Sequence, residues 1–160
     1  NTELFPCCQP AFAGRQIEGR WADTGIIMKK YEITTAYRQF YVADTELEPM
    51  APEDWTDEHI KQKHNTLKNI SALCPEGDLT ARVICCGPKD KRPKLKEKYD
   101  FEVFTTIEVP SGKVGIYEWP FEKKDFYEIK PGKCKIRFTG YKTDKVDDEE
   151  DYYLVEIIEA

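Results

Sequence analysis

Residues 101–109 read Phe-Glu-Val-Phe-Thr-Thr-Ile-Glu-Val, and Pro110-Ser111-Gly112 follows at once. Phe101, Val103, Thr105, Ile107 and Val109 fall on one side of an extended chain, and Glu102, Phe104, Thr106 and Glu108 on the other. A period of two marks a half-buried strand, because successive side chains leave opposite faces of a pleated backbone. Pro presets φ for a turn and Gly tolerates a left-handed φ, so the stretch reads as a strand entering a tight turn.

The same signature recurs on both sides. Upstream, Leu79, Ala81, Val83 and Cys85 alternate with Thr80, Arg82, Ile84 and Cys86. Downstream, Lys130-Pro131-Gly132 is turn chemistry, and Ile136 and Phe138 share a face between Lys133 and Tyr141. Tyr153, Val155 and Ile157 oppose Leu154, Glu156 and Ile158 at the C-terminus. Tyr31 to Val42 is rich in Tyr, Ile, Thr, Phe and Val and reads as one further strand. A single short helix is expected near 54–65, where Asp54 or Thr56 can cap the exposed amides and Asp57 and Glu58 suit the positive end of the helix dipole. Trp55 is placed to hold that helix against a sheet. Many strands with one helix predict a mainly β fold, an antiparallel sandwich or barrel. Residues 1–30, with Pro6, Pro10, Gly14 and Gly19 and no steady period, form an irregular arm ahead of one β domain over 31–160.

Composition narrows the function. At 160 residues, 40% of them hydrophobic, the chain can bury a real core. No run approaches the ~20 apolar residues of a membrane-crossing helix, and no membrane role is expected. The net charge of −6 argues against a phosphate backbone as the main ligand and suits a basic protein partner. No nucleic acid is therefore expected among its partners. His59 and His64 are five apart, where a helical metal pair is spaced by three or four. No Gly-rich phosphate loop, nucleophile elbow or Cys-x-x-Cys pair is present. These absences predict no metal, no cofactor and no enzymatic activity.

Six cysteines, Cys7, Cys8, Cys74, Cys85, Cys86 and Cys134, lack metal spacing. They fit three disulfides of unassigned connectivity in a secreted protein, or buried free thiols in a cytoplasmic one. The first residue is Asn1 rather than Met, which fits either removal of an upstream segment, as in secreted precursors, or a sequence that was simply started at this residue. Cys85 and Cys86, adjacent in a strand, point to opposite faces and cannot easily act together.

Two charged runs stand out. Lys89 to Lys98 (KDKRPKLKEK) holds six basic residues against two acidic ones, a grip for an anion or a solvated loop. Asp147, Asp148, Glu149, Glu150 and Asp151 lie in the last hairpin connection, without the glycine and alternate spacing of a calcium loop. Asp54, Asp57 and Glu58 at the helix start and Asp147 to Asp151 in the hairpin are the candidate partner contacts. Trp119 and Phe121, flanking Pro120, are either an exposed aromatic anchor or packing.

The run Ile33-Thr34-Thr35-Ala36-Tyr37-Arg38-Gln39-Phe40-Tyr41-Val42, followed by Asp54-Trp55-Thr56-Asp57-Glu58-His59-Ile60, resembles the ComJ family. That family is named for competence protein J, an inhibitor of a DNA-entry nuclease. Ile129 to Ile136 looks like the family's turn-and-strand, and Tyr152 to Ala160 like its closing strand, so the likeness spans 31–160. The Gly-rich segment that follows the helix in the family is here Lys61-Gln62-Lys63-His64-Asn65. The resemblance implies the fold and, as one function, a nuclease inhibitor or immunity protein that blocks a DNase active site with acidic residues. In size, acidity and cysteine content the chain also resembles secreted fungal necrotrophic effectors of the Tox3 type. That profile implies a disulfide-stabilised toxin or virulence factor that binds a host protein, which is the leading expectation from the cysteines.

Overall fold

The computed structural model describes residues 29–77 and 79–159. An alternating strand buries its apolar face only against another apolar face, and two stacked sheets satisfy every strand at once. One sheet has the order β1 (Lys29–Thr35), β5 (Leu79–Cys86), β10 (Tyr152–Glu159), β9 (Gly132–Tyr141), β6 (Phe101–Val109). The other has the order β3 (His64–Thr66), β4 (Ile70–Leu73), β2 (Phe40–Asp44), β7 (Lys113–Glu118), β8 (Glu122–Glu128). The fold is a sandwich and not a closed barrel. Ile33, Val83, Ile107, Ile136 and Val155 of the first sheet share one core with Val42, Val114 and Ile116 of the second. Phe138 packs edge-on against Phe40 at 5.8 Å between centroids, tying the two layers at their centre. Each such side chain removed from water contributes roughly 1.5–3 kcal/mol.

Three local expectations change, and two strands go unread. The run from Tyr31 to Val42 is two strands in two sheets, because Tyr37 and Arg38 adopt left-handed φ values of 63° and 57° within the 3-10 turn Ala36–Arg38. That corner carries the chain from β1 in the first sheet to β2 in the second. The sheets are antiparallel except where β10 lies parallel to β5, Val155 beside Cys85. The helix α1 spans Asp57–Gln62, shorter than 54–65, with Thr56 as its N-cap and Lys63, at φ 71°, as its C-cap. Asp54 lies outside it. Strands β4 and β7 carried no alternation because every β4 residue, and Val114 to Tyr117 of β7, is buried on whichever face it points to.

The disulfide expectation is corrected. Cys74, Cys85, Cys86 and Cys134 are all buried free thiols. Three disulfides among six cysteines need at least one bond between two of these four, since Cys7 and Cys8 can occupy only two partners. Cys7, Cys8 and most of the arm over 1–30 lie outside the described residues. Cys85 and Cys86 do point to opposite faces, Cys85 into the core between the sheets and Cys86 into a cluster with Ile84, Tyr141 and Leu154. Among the described residues no helix is long and apolar enough to cross a membrane.

Candidate protein interface

All five residues of β2 are buried, so its outer face needs a cover as well as its inner one. Phe40 and Val42 face the inter-sheet core, while Tyr41 and Ala43 join Ile70, Ala72 and Tyr117 in a second apolar cluster. Ala51, Trp55, Trp119 and Phe121 pack on that cluster from outside. Phe121 stacks on Tyr117 at 4.2 Å, nearly parallel. Trp119 carries the aromatic surface onward to Tyr37, whose ring meets it edge-on at 5.6 Å. Tyr37 is 76% exposed.

The cover is residues 45–60, which contain Glu46, Glu48, Glu53, Asp54, Asp57 and Glu58 and no Lys or Arg. All six carboxylates are exposed. Leu47, Met50 and Ile60 stand exposed among them, Met50 at 76%. An exposed apolar side chain is ordinary alone, but several on one acidic segment make a patch of the kind that meets a partner.

Two devices hold this segment in shape. At its start Asp44, fully buried, accepts from the Glu46 and Leu47 N–H groups at 2.8 and 3.2 Å. At its end the Thr56 hydroxyl accepts from the His59 N–H while the His59 ring accepts from the Thr56 N–H at 3.1 Å, a capping box built with histidine. The Asn65 side chain donates to the Asp54 carbonyl at 2.9 Å. The negative charge is felt underneath, since burial, then Asp44, Glu46 and Glu48, push the Tyr117 phenol up from its ordinary value.

Asp54, Asp57 and Glu58 thus share one exposed acidic segment with Glu46, Glu48 and Glu53, which the helix reading passed over. The run 147–151 lies elsewhere, between β9 and β10 at an end of the first sheet. There Asp147 to Glu150 are exposed in and after the 3-10 turn Thr143–Asp148. Asp151 is buried, accepting the Tyr153 hydroxyl at 2.6 Å, and its carbonyl accepts from the Arg82 guanidinium at 2.9 Å. Its role is structural. Trp119 and Phe121 are packing, and Tyr37 is the exposed aromatic. The signal that would have found the surface is the absence of any cation over 45–60. Among the described residues no group of three or more His, Cys, Asp or Glu side chains is arranged to hold a metal.

No protein-family model and no curated protein matches the chain by sequence. Among solved structures, ComJ from Bacillus subtilis, an inhibitor of the DNA-degrading activity of NucA, superposes with a TM-score of 0.67. It shares 16% identity, over 82% of this chain and 96% of that one. The sandwich is ComJ-like. A protein described as crocagin biosynthetic gene J matches over the same shares of the two chains, with a TM-score of 0.53 and 10% identity. At these identities the likeness concerns the fold, and the ComJ-like fold agrees with the resemblance carried by residues 33–60.

Proposed function

We infer that this chain is a non-enzymatic inhibitor that lays its acidic face, residues 45–60, over the basic substrate cleft of an enzyme acting on nucleic acid. The observation that carries this reading is the segment itself: six exposed carboxylates over 45–60 with no Lys or Arg in that stretch, and Leu47, Met50 and Ile60 exposed between them. An enzyme that handles a phosphate backbone needs a cationic cleft. A fixed array of carboxylates competes for such a cleft, and its field speeds encounter. The apolar side chains supply the water-excluding anchors that charge alone lacks. The fold shared with ComJ, which inhibits the DNA-degrading activity of NucA, supports a nuclease as the partner. Asp54, Asp57 and Glu58 are then central contacts, and Asp147 to Glu150 peripheral. With Cys74, Cys85, Cys86 and Cys134 free, the three-disulfide framework that motivated a secreted effector loses its support.

The test is a DNA-degradation assay with NucA and a panel of other non-specific DNases, titrated with this protein. Stoichiometric inhibition that weakens as salt rises is expected, because exposed charges are screened within about 10 Å at 0.1 M salt. A Glu53→Lys/Asp54→Lys/Asp57→Lys variant should lose inhibition by about 100-fold, while Asp147→Lys/Asp148→Lys should retain it. Full DNA degradation by every nuclease at a large excess of this protein would remove the reading.

A further inference from the structure

The other outer face of the sandwich carries the reverse charge. Strands β6 and β9 turn Ile107, Ile136 and Phe138 into the core, so Phe104, Thr106, Lys133, Lys135 and Arg137 point outward. Phe104 is 48% exposed, a large aromatic on an open sheet face. Lys135 Nζ and the Arg137 guanidinium each lie 5.3 Å from the centre of its ring. Residues 87–100 cross this same face, with Leu95 seated on Ile84, Cys86, Tyr141 and Leu154. Arg92 pins the segment by pairing with Glu102 at 2.8 Å and Glu156 at 3.1 Å. A cleft of about 400 Å³ opens beside that latch, with Arg92, Arg137 and Glu156 in its walls.

Apart from Glu108, exposed opposite Lys133, the acids here are already engaged. Asp90 accepts the Gly87 N–H at 2.7 Å. Glu97 takes the Tyr152 hydroxyl and Lys142. Glu102 and Glu156 are held by the arginines, Glu156 by Arg137 at 3.3 Å. The lysines are not. Among the described residues, the five exposed lysines of 89–98, with Lys133 and Lys135, have no carboxylate within 4.0 Å. The charge left available on this face is therefore positive, although the whole chain is acidic.

We propose that this face binds single-stranded nucleic acid, a base stacking on Phe104 and the adjoining phosphates meeting Lys133, Lys135 and the lysines of 89–98. An aromatic ring on a sheet accepts the π-face of any unpaired base, and cations around it track the backbone. A duplex hides its base faces and offers the ring nothing, so a single strand is the form that fits. Lys135, on a flexible stem, yields the ring to the base and turns to a phosphate, while Arg137 stays with Glu156. Such binding would depart, on this one face, from the expectation drawn from net charge.

The probe is a short fluorescein-labelled oligothymidylate, followed by fluorescence anisotropy with the full chain at low salt. Binding should weaken as salt rises, log K falling by ~0.7 per log salt for each phosphate held. Phe104→Ala should weaken binding about 10-fold, with circular dichroism and nuclease inhibition unchanged. Lys94→Ala/Lys135→Ala should flatten the salt dependence. No binding, equal binding of a duplex or of polyglutamate, or indifference to Phe104→Ala would each overturn the proposal. The assay contains no nuclease, so its failure leaves the inhibitory reading standing.

Discussion

Ser111 donates to Asp44 twice, its backbone N–H to Oδ2 at 3.1 Å and its hydroxyl to Oδ1 at 2.9 Å. Asp44 is fully buried at the end of β2, and Ser111 sits in the turn between β6 and β7. The same carboxylate holds the first residues of the acidic segment through the Glu46 and Leu47 N–H groups. One charge, with four hydrogen-bond donors, therefore joins the sandwich to the face proposed to meet the partner.

Asp44→Ala strands those donors and should cost about 3 kcal/mol, since hydrogen bonds to a charged group are the strong ones. Ser111→Ala keeps the backbone bond and should cost only about 1 kcal/mol. Urea denaturation of both variants gives the comparison. Equal losses would show that the hydroxyl, not the carboxylate, organises the junction.

Within the carboxylate run, neighbouring positions should respond in opposite directions. Glu149 is exposed with φ 56°, a left-handed conformation that a residue without Cβ adopts freely. Glu149→Gly should stabilise by about 1 kcal/mol, helped by relief of its repulsion with Glu32. Asp151→Ala leaves the buried Tyr153 hydroxyl without its acceptor and should cost about 2 kcal/mol. Thermal melts of the two variants should move to opposite sides of the parent.

The thiols should be chemically silent in the fold. Burial pushes Cys86 up to about 11 and Cys134 up to about 12, and raises Cys74 and Cys85 as well. The thiolate is the reactive form, so iodoacetamide at pH 8 should leave all four unmodified until denaturant is added. Peptide mapping of native and unfolded protein reads this directly. Rapid native labelling of any of the four would contradict their burial.

Acid should weaken the fold through His64. Its half-buried ring, with Nδ1 2.9 Å from the Thr66 hydroxyl, has a pKa lowered from 6.5, first by desolvation and then by His59. Between that lowered value and 6.5 the unfolded chain binds a proton that the folded one refuses. Stability is therefore full above 6.5 and falls as pH drops through the window. His64→Gln should flatten that part of a stability-against-pH curve. A slope unchanged by the substitution would assign it to other groups.

Much of the sandwich was legible because its strands write one buried face into a period of two. β6, β9 and β10 lie where their alternation placed them, with Ile107, Ile136, Phe138, Tyr153 and Val155 inside. β4 and β7 were not legible, since strands covered on both sides show an apolar run instead of a period. Of the candidate contacts, Asp54, Asp57 and Glu58 were read as helix-start acids. Their companions Glu46 and Glu48 sit in a stretch with no secondary structure to attract attention. Asp151 was read with its acidic neighbours because sequence gives charge but not burial.

The sequence by itself determined that this is a mainly β protein with a short capped helix, since periodicity, turn residues and caps act between neighbours along the chain. Only the tertiary structure decided which strands share a sheet and where the corner falls in Tyr31 to Val42. It also decided that the four described thiols are free, and that the acidic segment 45–60 covers one sheet while lysines without a carboxylate partner stand on the outer face of the other. Those are relations between residues far apart in the chain, set by how two apolar faces close on each other. No local pattern records them.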